Sequence, residues 1–222
     1  MSKNNPGNRL PPKVRAALDA AKGFLAAGRA SHDFDHTLRV MELCRRVGPP
    51  EGADMEVLLI AAALHDIGRP AQDESRGKIC HAAHGAVLAG EVLDRLCLPR
   101  GKRQNVLHCI RAHRFRGDCP PETVEAKVLF DCDKLDSIGA IGVARTFQFA
   151  GEVGARLHNR QQDLSQTRAY SEEDTGYREY RLKLSMVAGR MMTEEGRRLA
   201  KKRHAFMEAF FERFLAEHEA RD

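Results

Sequence analysis

Residues 55–68 read MEVLLIAAALHDIG, and this stretch decides the fold. From Val57 to Leu64 every residue is apolar, so a helix here is hydrophobic nearly all round, as the buried centre of a helical domain is. The run is too short to span a bilayer. A helix over Met55 to Ile67 is expected to stop at Gly68, with Pro70 two residues beyond. Just before that stop stand His65 and Asp66. A carboxylate at the end of a buried helix faces the negative pole of the macrodipole, and burying it unpaired is costly. A cation held by both side chains removes that cost. The plainer alternative is a wet helix end, and the dipeptide alone does not choose.

Helical patterning continues on both sides. Pro11 and Pro12 suit the first turn of a helix running through Val14, Leu18 and Leu25. A second helix starts near Asp33, carries Leu38, Val40, Met41, Leu43 and Val47 at helical spacing, and stops at Gly48, Pro49 and Pro50. Downstream, Arg69 to Lys78 reads as a loop over the site. Helices follow over His81–Leu96, Lys102–His113, Glu122–Ser137 and Ile138–Phe149. Asn159 to Thr175 reads as a long loop or flap. Leu182, Leu184, Met186, Val187, Leu199, Phe206, Phe210, Phe211 and Phe214 recur at helical intervals toward the end. With no strand-like alternation and no internal repeat, the expectation is an all-α, compact helical bundle. It comprises a flexible tail over residues 1–12 and a single domain over 13–222.

Composition agrees. The 222 residues are 42% apolar and 30% charged, with 6% aromatics and no Trp, which favours helices packed through Leu, Ala, Val and Met over a β-rich core. The formal charge of +5 fits an anionic substrate but decides little. Six cysteines lie scattered without a C-x-x-C pair, as expected of reduced, buried thiols. The polar start has no apolar signal region, so the expected location is cytoplasmic, with no membrane association.

Two further segments bear on His65 and Asp66. Residues 31–36, SHDFDH, open a helix, with Ser31 or Asp33 as N-cap and His36 in the first turns. Residues 131–136, DCDKLD, place three carboxylates beside Val128, Leu129 and Phe130. On a helix Asp133 shares the inward side with Leu129 and Phe130, and acidic groups facing a core call for a cation.

His36, the pair His65 and Asp66, and Asp133, each on its own helix, resemble the H…HD…D signature of the HD-domain phosphohydrolases. Residues 131–145, DCDKLDSIGAIGVAR, are similar to a family segment DADRLDAIGAIGIAR. Residues 200–208 and 214–217 resemble a branch of small stand-alone bacterial members, so the resemblance runs from about His32 to Glu217. It implies a site in which His36, His65, Asp66 and Asp133 hold one divalent ion: Mn, Ni, Co or Fe first, with Mg and Zn admitted. Such mixed nitrogen and oxygen ligation argues against a closed cysteine-rich zinc site. An ion-bound water would attack phosphorus, with Asp66 helping to orient it.

Around that ligand set, Asp66, Lys134 and His113 are the catalytic candidates, and Arg69, Lys78, His81 and Arg114 the candidates for binding substrate. Arg116 is a further cation suited to phosphate. Asp73 and Glu74 are candidate general acids for the leaving group. Some family members bind a second metal through added histidines, and His81 and His113 stand where such ligands would. The other reading leaves them touching substrate phosphates or solvent. His108, His158, His204 and His218 are taken as structural or surface residues. Lys201, Lys202, Arg203 and His204 read as a solvated helix face without interleaved aromatics, so nucleic acid is not the expected partner.

The expected activity is therefore metal-dependent hydrolysis of a small phosphorylated substrate. A nucleotide is favoured, and the branch resemblance tilts the choice to (deoxy)nucleoside triphosphates. The alternatives are a di-iron oxygenase, which needs His81 and His113 as ligands, and a non-catalytic nucleotide-sensing module. The Phe-rich end has two fates, burial against the core or a homodimer contact, and the sequence does not choose between them.

Overall fold

The computed structural model describes residues 10–26, 34–75, 77–114, 119–159 and 163–221. Ser31, His32, Asp33 and Arg116, and most of the expected tail, lie outside the described residues. Those described are all-α, with no strand among them. The chain forms two compact units, residues 1–133 and 134–222.

In the first unit α1 (Pro12–Leu25), α2 (Phe34–Val47) and α6 (Arg100–Ala112) pack around α3 (Met55–Leu64). Every residue of α3 from Val57 to Leu64 is buried, as its unbroken apolar run requires. Each such Leu or Ile side chain removed from water contributes about 1.5–3 kcal/mol. The Asp54 carboxylate caps α3 by accepting from the amides of Glu56 and Val57 at 3.0 and 3.2 Å. The Asp54 amide in turn donates to Glu125 at 2.7 Å, and Asn105 donates to the other oxygen of that buried Glu125 at 2.9 Å. The start of α3 is thereby fixed to α6 and to α7 (Val124–Asp136).

Beyond α3 the structure departs from the expected loop. Residues 69–74 form a short helix, α4 (Arg69–Glu74), and only the residues after it turn. Pro70 occupies the first helical turn, where its missing N–H is not needed, so it starts α4 instead of terminating α3. α4 packs on α5 (His81–Arg95) through two glycines. A Cβ on Gly68 would stand 2.3 Å from the His81 carbonyl oxygen and 2.6 Å from the Gly85 nitrogen, so only glycine allows this approach. It presses the turn carrying Asp66 against the first turn of α5.

The second unit is built on α8 (Gly139–Glu152), α9 (Gly176–Leu182) and α10 (Glu194–His218). Phe147 of α8 meets Phe210, Phe211 and Phe214 of α10, and Tyr180 of α9 stacks on Phe211 with centroids 4.3 Å apart. Most of the Phe-rich end therefore packs within its own unit, while Phe206 stays exposed. The segment read as a flap is tied down over its described part. Arg178 donates to Thr167 Oγ1 at 2.6 Å and to Asp174 at 2.7 Å, and Asn159 donates to the Glu173 carbonyl at 2.7 Å. Short Asp, Asn and Thr side chains bond nearby backbone well, which fixes a loop that lacks periodicity.

The basic cluster on α10 is divided. Lys201 and Lys202 are exposed, whereas Arg203 lays its stem on Gly139 and donates to the Leu135 carbonyl near the end of α7. A cation at the carbonyl end of a helix is favourable, so this arginine is a cap and not part of a solvated face.

The six cysteines are free. Burial pushes the Cys109 and Cys132 thiols up, as for inert core residues. No helix among the described residues is long and apolar enough to cross a membrane.

Candidate metal centre

The site lies within the first unit, and helix ends build it. His36 stands in the first turn of α2, His65 closes α3, Asp66 follows in the turn, His81 opens α5, His113 closes α6, and Asp133 lies in the last turns of α7. His36, His65, Asp66, His81 and His113 are all buried.

The last carbonyls of a helix lack amide partners. His65 and His113 use one each: their Nδ1 atoms donate to the carbonyls of Ala62 and Ile110 at 2.8 and 2.6 Å. His81 Nδ1 donates to Gln72 Oε1 at 2.7 Å. An amide oxygen only accepts, so all three Nδ1 atoms carry a hydrogen, and a ring so held, when neutral, presents a bare lone pair at Nε2.

Those lone pairs converge with two carboxylates. His36 Nε2 lies 3.3 Å from His65 Nε2, 3.3 Å from Asp133 Oδ1 and 3.7 Å from Asp66 Oδ2. His65 Nε2 lies 3.8 Å from the same Asp66 oxygen and 4.0 Å from the same Asp133 oxygen. The other oxygen of Asp66 stands 3.5 Å from both His81 Nε2 and His113 Nε2, which are themselves 3.0 Å apart. His36, His65 and Asp66 thus form one group able to hold a metal ion, and Asp66, His81 and His113 a second, with Asp66 common to both.

The electrostatics follow from burial. It pushes His65 down to about 4 and His81 down to about 2, against the pull of Asp66. Burial alone would raise the Asp66 carboxyl, but the Arg69 guanidinium bound to it holds it well below the usual carboxylate range. Neutral imidazoles facing an ionised carboxylate are the protonation states that ligation needs. The donor chemistry fits a divalent cation: lone pairs 3.0 Å apart repel unless a positive charge lies between them. Among the described residues neither group contains a cysteine, and nitrogen with carboxylate oxygen suits Mn, Fe, Co, Ni or Zn.

The remaining candidates fall at different distances from this centre. Arg69 is bound to Asp66, one terminal nitrogen lying 3.1 and 3.3 Å from its two oxygens, while its Nε is buried without a hydrogen-bond partner. Arg114 is half-buried and donates to the sulfur of Cys80, the neighbour of His81, at 3.2 Å. Lys134 follows Asp133 on α7 and is half-buried, and its carbonyl accepts from the Ser137 hydroxyl at 2.7 Å. Lys78 is exposed in the turn after α4. Of the candidate acids, Asp73 is half-buried on α4 and its charge acts on Arg69, and Glu74 is exposed. Two features were not anticipated. Gln72 sits in a polar, charged stretch where nothing marks it, and the contact between Gly68 and Gly85 had only one sequence signal, a glycine inside a helical pattern.

Residues 33–138 match the HD domain family. The chain belongs to this family, whose solved members include HD-superfamily hydrolases. It is 32% identical over 197 residues to YpgQ of Bacillus subtilis (strain 168), covering 85% of each chain. The structure of Bacillus subtilis YpgQ in complex with ADP matches with a TM-score of 0.69 at 27% identity, over 90% of this chain and 97% of that one. An HD-superfamily hydrolase from Bacillus thuringiensis matches with a TM-score of 0.72 at 26% identity, over 94% and 97% of the two chains.

Proposed function

We propose that this chain is a metal-dependent phosphohydrolase of small nucleotides, with (deoxy)nucleoside triphosphates as the first candidates. One observation carries the reading: His36, His65, Asp66 and Asp133 bring two imidazole nitrogens and two carboxylate oxygens together in a buried site. When bound there, a divalent cation lowers the pKa of a coordinated water and draws charge from a phosphoryl oxygen.

The chain's own groups supply the rest. His113 and His81 offer Nε2 atoms that, unprotonated, suit accepting a hydrogen bond from the attacking water more than gripping a phosphate. Asp66 places one carboxylate oxygen 3.5 Å from both. The unused Nε of Arg69 is a donor for a phosphate oxygen, and Arg114 and Lys134 are further cations for the polyphosphate. That YpgQ is in complex with ADP supports a nucleotide as the class of ligand.

The test is hydrolysis of a nucleotide panel by metal-free protein reconstituted with Mn²⁺, Co²⁺, Ni²⁺ or Mg²⁺, wild type beside Asp66→Ala. Release of phosphate or pyrophosphate that vanishes in the variant is expected, and the product names the bond cut. No turnover with any ion, despite stoichiometric bound metal, would overturn the reading.

A second reading has its own observation. The Nε2 atoms of His81 and His113, 3.0 Å apart beside Asp66, could hold a second ion that shares the Asp66 carboxylate. Metal analysis separates the two: two ions per chain, falling to one in His81→Asn, supports the dinuclear form. A di-iron absorption band would then direct attention to oxygenase chemistry.

A further inference from the structure

Three of the site's imidazoles have Nδ1 tied to an oxygen, but not in the same way. His65 and His113 stand at helix C-termini, where the carbonyl three residues back is free to accept. His81 opens its helix, and the chain before it offers no helical carbonyl in that position. Its partner has to come from another element.

We propose that Gln72 is a positioning residue: its side-chain oxygen holds His81 in the tautomer that aims an unprotonated Nε2 at Asp66 and His113. Gln72 Oε1 stands 2.7 Å from His81 Nδ1 and 3.4 Å from the His81 backbone nitrogen. A backbone N–H can only donate, so its approach to the same atom marks that end of the amide as the oxygen. The Gln72 backbone is held as well. Its carbonyl accepts from Gly77 N at 2.8 Å and from the Ser75 hydroxyl at 3.0 Å, and that hydroxyl accepts from Ile79 N at 3.0 Å. Gly77 takes φ +84, which lets the chain reverse toward His81.

The alternative tautomer shows why this matters. Without an acceptor at Nδ1, His81 can carry its hydrogen on Nε2 and donate to His113 Nε2, 3.0 Å away. That bond consumes both lone pairs and closes this half of the site. Whether the half accepts a hydrogen bond from water or holds a second ion, it needs both lone pairs, and here the inference rests on the hydrolase reading above.

The experiment reads the tautomer directly. In metal-free protein labelled with ¹⁵N-histidine, long-range ¹H–¹⁵N correlation spectra distinguish Nδ1–H from Nε2–H rings. Wild type should show His81 as Nδ1–H, Gln72→Glu should keep it, and Gln72→Met should convert it to Nε2–H. Nucleotide turnover should fall about 10–100-fold in kcat in Gln72→Met, with KM moving less, and Gln72→Glu should recover most of the loss. An Nε2–H ring in the wild type overturns the proposal without any variant, which covers the case in which Gln72→Met does not fold. An unchanged Nδ1–H ring in Gln72→Met overturns it too. If the spectra behave as expected and no nucleotide is turned over, the positioning role stands and the hydrolase reading is what fails.

Discussion

Both units bury charge, and they dispose of it in opposite ways. In the second unit two buried carboxylates are each paired with an arginine: Asp136 takes Arg145 at 2.9 Å, and Asp174 takes Arg178 at 2.7 Å. In the first unit four imidazoles and two carboxylates converge on common centres, and the Arg69 guanidinium is bound to Asp66. A buried polar group is tolerated when paired and costly when not. The paired set is therefore architecture, and the convergent set is a group able to hold a cation.

Breaking one member of each set should separate these roles. The largest effect is expected from His36→Gln. Changes to the partners of ligands already cost about 10–100-fold, so removal of a ligand should exceed about a hundredfold in nucleotide turnover. The urea midpoint of the metal-free protein should move little. A large loss of metal-free stability would mean that the convergent set is structural after all.

Next comes the ion itself. At a free concentration near 100 times its Kd, a ligand specific for the folded state adds about 2.7 kcal/mol. Thermal unfolding in Mn²⁺ should therefore drop clearly on chelation, and it should not in His36→Gln.

In the second unit Arg178→Ala removes charged hydrogen bonds to a buried carboxylate and should cost about 2 kcal/mol. Chemical unfolding would show this, with the number of ions bound per chain unchanged.

The smallest effect concerns His158, which sits edge-on to Tyr177, Phe214 and His218. Burial, and then the neighbouring His218, lower its pKa from the ordinary 6.5. A histidine depressed in the folded state stabilises above its unfolded pKa, and that contribution fades as pH falls through about 6.5 toward the folded value. A modest acid-side loss of stability is expected, and His158→Gln should flatten it.

What could be read in advance follows the same division. That His36, His65, Asp66 and Asp133 come together was legible through the family resemblance; His65, Asp66 and Asp133 stand beside apolar runs, but His36 lies in a polar stretch, and no local pattern joins the three segments. The helices were legible from period and from Gly and Pro, except where one residue has two meanings. Pro70 ends one helix and begins another equally well, so α4 was hidden. Gln72 and Arg203 were hidden for another reason. Each lies in a run of polar or basic residues in which one side chain folds inward, and composition gives no sign of which. Arg203 reaches a carbonyl 68 positions away, and no local pattern encodes that contact.

The contact between Gly68 and Gly85 also has a consequence for the order of assembly. It closes a loop of fewer than twenty residues, so Asp66 and His81 can meet while most of the chain is still unfolded. His36 and Asp133, nearly a hundred residues apart, meet only when α7 docks on α2. By chain entropy alone the longer closure costs about 1.5 kcal/mol more. The meeting of Asp66 with His81 can thus come early and locally, while the pairing of His36 with Asp133 comes late. Capture of an ion by that pair would time the last step of folding in this unit.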